Sequence, residues 1–183
     1  MKIGLIVGSL RESSWNKKVA LVAKELFPED VEVEFIDISN LPLYNADLDG
    51  ANPHEEYQKI RDEVRKYDGY LFFTPEYNRS YTPAIKNVID VVSMDQAGSA
   101  WMKKPAGVFS ASIGGFGGMA ANHALRQAFI YTNLIPMQQP EVYLPSVHTL
   151  FDENGNMVED TKEFLQTSVL AFVEHVKLVN GAN

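Results

Sequence analysis

The sequence predicts an α/β fold, a three-layer doubly wound arrangement in which a five-stranded parallel sheet carries helices on both faces. Strand-like and helix-like segments alternate along all 183 residues, as is typical of parallel sheets joined by crossover helices. Residues 2–7 and 69–74 are nearly continuous apolar runs, which indicates strands covered on both faces. There is no repeat, low-complexity tract or linker, so a single domain over residues 1–183 is expected.

Composition narrows the class of protein. A formal net charge of −8 and a pI near 5.0 argue against a nucleic-acid binder, which normally presents a basic face. The chain has no cysteine, so disulfides, thiolate nucleophiles and cysteine metal sites are excluded and redox chemistry would need a bound cofactor. No apolar run approaches a membrane span, and the chain starts in a strand rather than a signal segment. We therefore expect a cytoplasmic protein without a membrane partner.

The elements of the first third follow from periodicity and proline placement. The first helix is expected to begin near Asn16, where apolar residues start to recur on one face. Residues 31–38 alternate acidic and apolar side chains, which predicts a partly exposed edge strand. Pro53 is expected in the first turn of a second helix, whose apolar stripe ends at Tyr67.

The remaining elements continue the alternation. After the strand at 69–74 a helix begins at Pro83, and a fourth strand is predicted at residues 105–110, before a helix through Leu125 and Phe129. A fifth strand, interrupted by proline, is expected at a sheet edge within residues 135–144. The last elements are a small hairpin around Asn154-Gly155 and a helix over about 161–178.

Three unusual loops are expected to line one crevice. They occupy residues 8–16, 75–80 and 110–118, each directly after a predicted strand, and are rich in small, hydroxyl and amide residues. Ligands of doubly wound sheets bind outside the carboxyl ends of the strands, where the strand order reverses. The sequence therefore predicts a binding site between these loops.

The first loop is a candidate anion site. It offers backbone N–H groups, hydroxyls and one guanidinium at a helix N-terminus, which is where proteins hold phosphate. The alternative is a simple helix cap, with one serine capping and Arg11 in solvent. A cap needs a single oxygen, whereas a phosphate uses several donors; the loop supplies Gly8, Ser9, Arg11, Ser14 and Asn16.

Other nucleotide motifs and metal sites are weak or missing. There is no P-loop, and Gly115-x-Gly117-x-x-Ala120 follows the fourth strand and lacks the acidic partner of a dinucleotide fingerprint. That turn is interpreted as one that lets the backbone approach a ligand or the next helix. Asp37 is interpreted as a surface charge or local cap. The four histidines show no metal-ligand spacing, so no metal is expected.

Several side chains keep two interpretations. Glu76 at the crevice rim is either a general base or, as we favour, a solvated loop carboxylate. Lys86 and Asp90 have the spacing of a weak ion pair on a helix. Trp15 and Trp101 suit either the core or the rim of the crevice.

Three motifs together resemble the NADPH-dependent FMN reductase family, the flavodoxin-like group that includes quinone, azo-dye and chromate reductases. The motifs are Gly8-Ser-x-Arg-x-x-Ser-x-Asn16, Thr74-Pro-Glu-Tyr-Asn78 with Lys86-Asn87-x-x-Asp90, and Ser112-x-Gly-x-x-Gly-Gly118 followed by Leu125-Arg126. The match extends from residue 2 to about residue 140. It implies a flavodoxin-like sheet of strand order 2-1-3-4-5 and bound FMN.

The resemblance also implies roles for individual residues, with no catalytic side chain because the flavin carries the chemistry. The FMN phosphate would be held by Ser9, Arg11, Ser14, the Trp15 backbone and Asn16. The isoalloxazine would be lined by Pro75, Glu76, Tyr77 and Asn78, with Ser112 and Gly114 bordering it from the third loop. Family members are commonly dimers or tetramers, with residues 86–90 and the helix carrying Arg126 as candidate contacts.

The activity implied is hydride transfer from NADPH or NADH, through FMN, to a quinone, azo compound, free flavin or chromate, by a ping-pong mechanism. Backbone N–H groups of residues 75–78 would stabilise negative charge on the reduced flavin. At Arg79 many relatives carry an aromatic residue, and a guanidinium there suits an NADPH phosphate or an anionic acceptor. Trp15 stands where a smaller aromatic residue is common.

Two other functions remain open at this point. A non-enzymatic FMN electron carrier of the flavodoxin type would use protein partners instead of NADPH, although flavodoxin phosphate loops use no arginine, unlike Arg11 here. An NAD(P)-binding sensor domain would take up no flavin at all. Flavin content and reduction by NADPH distinguish the three.

Overall fold

The computed structural model describes residues 1–181 and contains the predicted alternation of strands and helices. The strands are β1 (Lys2–Val7), β2 (Glu32–Phe35), β3 (Gly69–Thr74), β4 (Pro105–Ala111), β5 (Ile135–Pro136) and β6 (Val142–Leu144). The helices are α1 (Trp15–Glu25), α2 (Glu55–Val64), α3 (Pro83–Ser93), α4 (Met119–Thr132) and α5 (Glu159–Gly181).

The sheet is parallel and its strand order is β2-β1-β3-β4-β5, with β6 also paired to β4. The predicted order is therefore confirmed. Direct register pairs join Val7 to Phe73 and Phe73 to Phe109, so the three central strands end at the same level of the sheet. Their loops consequently leave from one edge.

The core lies in two layers, one on each face of the sheet. Side chains of α1 and α5 pack with Leu5, Leu71 and Phe109 on one face, while α2, α3 and α4 pack with Phe72 and Val108 on the other. Successive residues of a strand point to opposite faces, so each central strand supplies both layers. This confirms the doubly wound, three-layer fold.

Three strand segments are shorter in the structure than the sequence predicts. β2 is an edge strand, as predicted, but covers only four of residues 31–38. The predicted fifth strand is two short pieces, β5 and β6, because Pro136 at the end of β5 and Pro140 between the two pieces lack an N–H to donate. The hairpin around Asn154-Gly155 has a single bridge, between Phe151 and Met157.

The start and the end of α2 are corrected by the structure. Pro53 lies before the helix rather than in its first turn, because His54 takes the cap position and its Nδ1 accepts from the Glu56 N–H at 3.1 Å. Tyr67 lies beyond the helix end but is fully buried, so its apolar contact with the core remains. Pro83 does occupy the first turn of α3, as predicted.

Asn87 and Arg61 fix the long segment between β2 and α2. The Asn87 amide accepts from Tyr44 N–H at 2.8 Å and donates to the Leu41 and Pro42 carbonyls. Arg61 forms a buried, bidentate pair with Asp49, with both donor–acceptor distances 2.7 Å. The segment is therefore anchored to α2 and α3, away from the crevice.

The two tryptophans have different positions. Trp101 is fully buried and donates its indole N–H to the Ile89 carbonyl at 3.1 Å. Trp15, at the start of α1, is half-buried with its ring 5.5 Å from that of Phe151. Trp101 is thus a core residue, and Trp15 lies at the rim of the first loop.

Within residues 1–181, no helix combines the length and apolar character required to cross a bilayer. The same residues contain no cluster of three or more histidine, aspartate or glutamate side chains placed to hold a metal ion.

Candidate functional site

The three predicted loops meet around one cavity of about 230 Å³ at the carboxyl edge of the sheet, hereafter the crevice. Nine of the eleven predicted cofactor-binding residues line it, while Asn78 and Gly114 lie outside the lining. The lining comprises Ser9, Arg11, Ser14, Trp15, Asn16, Pro75, Glu76, Tyr77, Ala111, Ser112, Ile113 and Val147.

The first loop presents unused donors at the N-terminus of α1. Among the described residues, the backbone N–H groups of 9–16 donate to no protein acceptor. Ser14 is the helix cap, with its Oγ accepting from the Lys17 N–H at 3.1 Å. That bond uses an acceptor lone pair, so the hydroxyl can still donate to an anion. The cap and the anion site are therefore compatible.

Arg11 lies on the solvent side of the same loop. Its guanidinium donates to the Ser13 hydroxyl at 3.2 Å and forms no ion pair with any residue among 1–181. The first turn of α1 contains no acidic residue, so the positive end of the helix dipole is not neutralised there. Both features favour an anion at this position.

Asn16 joins the first loop to the third. Its side-chain amide is buried and donates to the Ala111 carbonyl, at the end of β4, at 3.0 Å. The donor direction fixes the orientation of the amide, and its Oδ1 receives no hydrogen bond from the described residues. A buried acceptor without a donor is costly, so a ligand hydroxyl would satisfy a need that the protein leaves unmet.

Glu76 joins the second loop to α4, and our expectation of a solvated carboxylate is wrong. Its side chain is only 15% exposed, and Oε2 accepts from the N–H groups of Ala120 and Ala121 at 3.0 and 3.3 Å. The cap residue of α4 is Gly118, which has no side chain to do this. Glu76 therefore caps α4 from 44 residues away.

The second loop is a tight hairpin. Tyr77 and Ser80 exchange both backbone hydrogen bonds, at 2.9 and 3.0 Å, and the two residues between them have positive φ. Because Pro75 has no N–H and that of Tyr77 is used, only Glu76 and Asn78 among residues 75–78 have N–H groups available for a ligand. The second loop therefore offers a ligand fewer backbone N–H donors than the sequence suggested.

Arg79 projects from the tip of this hairpin. Its side chain is 74% exposed, with Nη1 3.6 Å from the Glu76 carboxylate and the guanidinium carbon 5.9 Å from the centre of the Phe116 ring. An exposed pair at this distance binds weakly. The guanidinium is therefore available to an anionic ligand that approaches the crevice mouth.

The glycine-rich turn of the third loop serves a packing role at Gly117. This residue has a φ of 60°, and a Cβ there would lie 2.8 Å from the backbone atoms Leu144 N and Tyr143 C. The close approach at Gly117 is thus to the backbone of β6 and the residue after it rather than to the next helix. The Ser112 N–H donates to the Leu144 carbonyl at 3.1 Å, which holds the loop in the same place.

Large apolar side chains are exposed on the second and third loops. Ile113 and Phe116 are 66% and 67% exposed, and Tyr77 is also exposed. Large apolar side chains clustered in solvent mark binding surfaces more often than scattered ones do. Sequence reasoning missed Ile113 and Ala111, although both adjoin Ser112; Val147, from the segment after β6, had no local signal.

The remaining candidates lie outside the crevice. Lys86 and Asp90 form the predicted ion pair at 2.6 Å. Asp37 is the predicted local cap, accepting from the Ser39 N–H at 2.9 Å. Arg126 is tied within its own chain, because it donates to Asn122 Oδ1 and the Met137 carbonyl, both at 2.8 Å.

Comparison with known proteins identifies similar chains over nearly the whole length. The model of the NADPH-dependent FMN reductase family matches residues 1–149. A quinone reductase of Pseudomonas putida is 44% identical over 176 residues, 96% of this chain and 95% of the relative. A 2-hydroxy-1,4-benzoquinone reductase of a Burkholderia species is 39% identical, with 91% of each chain covered.

A solved structure agrees with these sequence relatives. The flavoenzyme NAD(P)H:(acceptor) oxidoreductase of Paracoccus denitrificans superposes with a TM-score of 0.88 at 33% identity. The superposition covers 96% of this chain and 97% of that one. The likeness therefore extends beyond the family model to the C-terminal helix.

Replacing Glu76 tests the cap. We expect Glu76→Ala to lower the free energy of unfolding by about 1 kcal/mol, the usual cost of a lost helix cap, and to speed hydrogen exchange at the amides of Ala120 and Ala121. Urea titration and amide exchange measure the two effects. Glu153→Ala, at an exposed turn position, is the control. Unchanged exchange at Ala120 and Ala121 would show that the carboxylate does not cap α4.

Proposed function

The chain belongs to the NADPH-dependent FMN reductase family, and from this premise we propose that it passes hydride from NAD(P)H through FMN to a small acceptor. As a member, it is an oxidoreductase that uses FMN and a reduced nicotinamide. The observation that carries the proposal is the crevice, where unused N–H groups, a serine hydroxyl and a free arginine meet at a helix N-terminus.

The first loop fits the phosphate and sugar-alcohol chain of FMN. We assign the phosphate to the N–H groups of residues 9–16, the hydroxyls of Ser9 and Ser14, and the Arg11 guanidinium. The buried Oδ1 of Asn16 needs a donor, which a ribityl hydroxyl would supply. Donors for the anion and an acceptor for a hydroxyl thus stand side by side, as FMN requires.

The second and third loops would hold the isoalloxazine ring. Pro75, Glu76, Tyr77 and Ser112 line the crevice and would contact the ring. Asn78 and Gly114 lie outside that lining and would reach only the edge of the ring. At about 230 Å³, the crevice is smaller than the roughly 300–1,000 Å³ of sites that enclose their ligand. One ring face would therefore stay open to other reactants.

When bound, FMN supplies the chemistry, accepting hydride from NAD(P)H and delivering it to the acceptor after the oxidised nicotinamide has left. The chain's own residues position and polarise it. The N–H groups of Glu76 and Asn78 can face the negative charge of a reduced ring, and the Glu76 carboxylate is held away from it by α4. No side chain is assigned as a general acid or base.

Quinones are the acceptors that the crevice mouth suits best. Tyr77, Ile113 and Phe116 offer an apolar, partly aromatic rim on which a flat ring can stack. Azo compounds and free flavins share that shape, whereas chromate would depend on Arg79 alone. The relatives named quinone reductase and 2-hydroxy-1,4-benzoquinone reductase support a quinone as the acceptor.

We assign Arg79 to the extra phosphate of NADPH. The side chain is exposed at the mouth, and its contact with Glu76 is long enough to be exchanged for a phosphate. Arginine matches phosphate with two parallel donors. NADPH would then be preferred over NADH.

We propose that the chain forms a homodimer or homotetramer whose subunits contact each other through the exposed faces of α3 and α4. A groove of about 360 Å³ lies between these helices, beside Lys86 and Asp90, and the adjoining Tyr131 is 92% exposed. Apolar side chains exposed in this way favour burial against another subunit. A cytoplasmic location is proposed because the reaction consumes a soluble coenzyme.

Anaerobic mixing with NADPH tests the function itself. We expect the visible absorbance of the bound flavin to bleach and to recover when a quinone is added, with parallel lines in initial-rate plots for a ping-pong order. An electron carrier of the flavodoxin type would stay yellow on mixing. Protein that neither contains nor takes up flavin would instead indicate a coenzyme sensor.

The phosphate assignment is tested by Arg11→Ala. Loss of one charge-assisted hydrogen bond should weaken FMN binding by about tenfold, while riboflavin, which has no phosphate, should bind as before. Titration calorimetry with both ligands measures the difference. Lys24→Ala, at the other end of α1, is the control variant. Equal effects on FMN and riboflavin would remove Arg11 from the phosphate site.

The role of Arg79 is tested by coenzyme preference. Arg79→Ala should lower kcat/KM for NADPH by about tenfold relative to NADH, because one ionic contact to the extra phosphate is lost. Arg79→Lys should retain part of the preference. Steady-state rates with a fixed quinone supply the comparison, and an unchanged ratio between the two coenzymes would refute the assignment.

A further inference from the structure

A second cavity adjoins the crevice at its phosphate end. It encloses about 440 Å³ between the first loop and the end of β2, and is called the side cleft. Ser9 and Arg11 line both cavities. A phosphate held by the first loop would therefore lie beside the side cleft.

Lys17 gives the side cleft a half-buried cation. The side chain is half-buried, and its ammonium lies 3.4 Å from the centre of the Phe35 ring and forms no ion pair within residues 1–181. Burial lowers the pKa of Lys17, and the nearby Asp37 partly opposes that shift. A desolvated cation on an aromatic ring gains from an incoming phosphate.

The side cleft also carries an acceptor and apolar surface. Asp37 follows β2, and its Oδ1 accepts from the Ser39 N–H at 2.9 Å. A carboxylate near the end of the second strand contacts ribose hydroxyls in dinucleotide-binding folds. Leu10, which is exposed, and Phe35 supply apolar surface for a flat ring.

The groups that the adenylate half of FAD would need line this one cleft: two cations for a second phosphate, a carboxylate for a ribose and apolar surface for a base. The protein is strongly acidic overall, at −8, so Arg11 and Lys17 side by side are a local departure from its charge. Glu12, also on the rim, is exposed and forms no ion pair with either cation.

We infer that the side cleft binds the adenylate half of FAD, so that the protein accepts FAD as well as FMN. In this arrangement Arg11 and Lys17 contact the second phosphate, Asp37 accepts from the ribose hydroxyls, and adenine packs on Leu10 and, once Lys17 has turned to the phosphate, on the Phe35 ring. The inference rests on the proposed function, because it requires the flavin phosphate to lie on the first loop.

Flavin affinities of the full-length protein test this inference. Protein freed of flavin is titrated with FMN, FAD and riboflavin, for the parent chain, Lys17→Gln, Lys17→Arg and Lys162→Gln. The last removes the same charge from α5, outside the side cleft. The ratio of FAD to FMN affinity is the readout, because a general loss of folding would lower both.

We expect the parent to bind FAD more tightly than riboflavin, and Lys17→Gln to lower the ratio of FAD to FMN affinity by about tenfold. Lys17→Arg, which keeps the charge, and Lys162→Gln should leave the ratio as in the parent. The inference alone would be overturned if FAD bound no more tightly than riboflavin, or if Lys17→Gln and Lys162→Gln had the same ratio of FAD to FMN affinity. FMN binding no tighter than riboflavin would overturn the phosphate site of the proposed function as well.

Discussion

The common register of β1, β3 and β4 is the constraint on which the site depends. These strands are buried on both faces, and their side chains alternate between two separate core layers, with Phe73 in one and Phe72 in the other. A slip of one residue in any of them would exchange the layers that its side chains fill. The register therefore cannot drift, and the loops after Val7, Thr74 and Ala111 begin at fixed positions beside one another.

Hydrogen bonds of two side chains to residues distant in sequence fix the positions of these adjacent loops around the crevice. Asn16 ties the first loop to the end of β4, and Glu76 ties the second loop to the first turn of α4. Both ties use buried or largely buried side chains and backbone groups that would otherwise be unsatisfied, so they are difficult to exchange for water. A site held in this way loses little conformational freedom when a ligand binds, which favours affinity.

Local patterns predicted the alternation of strands and helices, the edge strand and the three loops, because periodicity, proline and glycine act over a few residues. The strand order of the sheet was implied by the family resemblance. They could not predict that Glu76 caps α4, since its partners lie 44 and 45 residues away and a loop glutamate has no periodic signal. The same applies to Val147, which reaches the crevice only through the packing of the segment after β6. Pro53 was misplaced because His54, an uncommon cap residue, took the position that the pattern left open.

The distribution of charge explains how an acidic chain can serve anionic ligands. Its net charge of −8 repels phosphates at long range, but that repulsion is screened beyond about 10 Å in salt. Close to the crevice the local charges differ from the overall charge. Arg11, Lys17 and Arg79 are cations there, and the N-terminus of α1 has backbone N–H groups that bind no protein acceptor among the described residues. Glu76, the acidic residue among the crevice lining, is turned into α4 and bound by two amides. On the proposed function, anions would bind at particular atoms rather than to the surface as a whole, which suits a protein that must retain one phosphorylated cofactor while other reactants exchange.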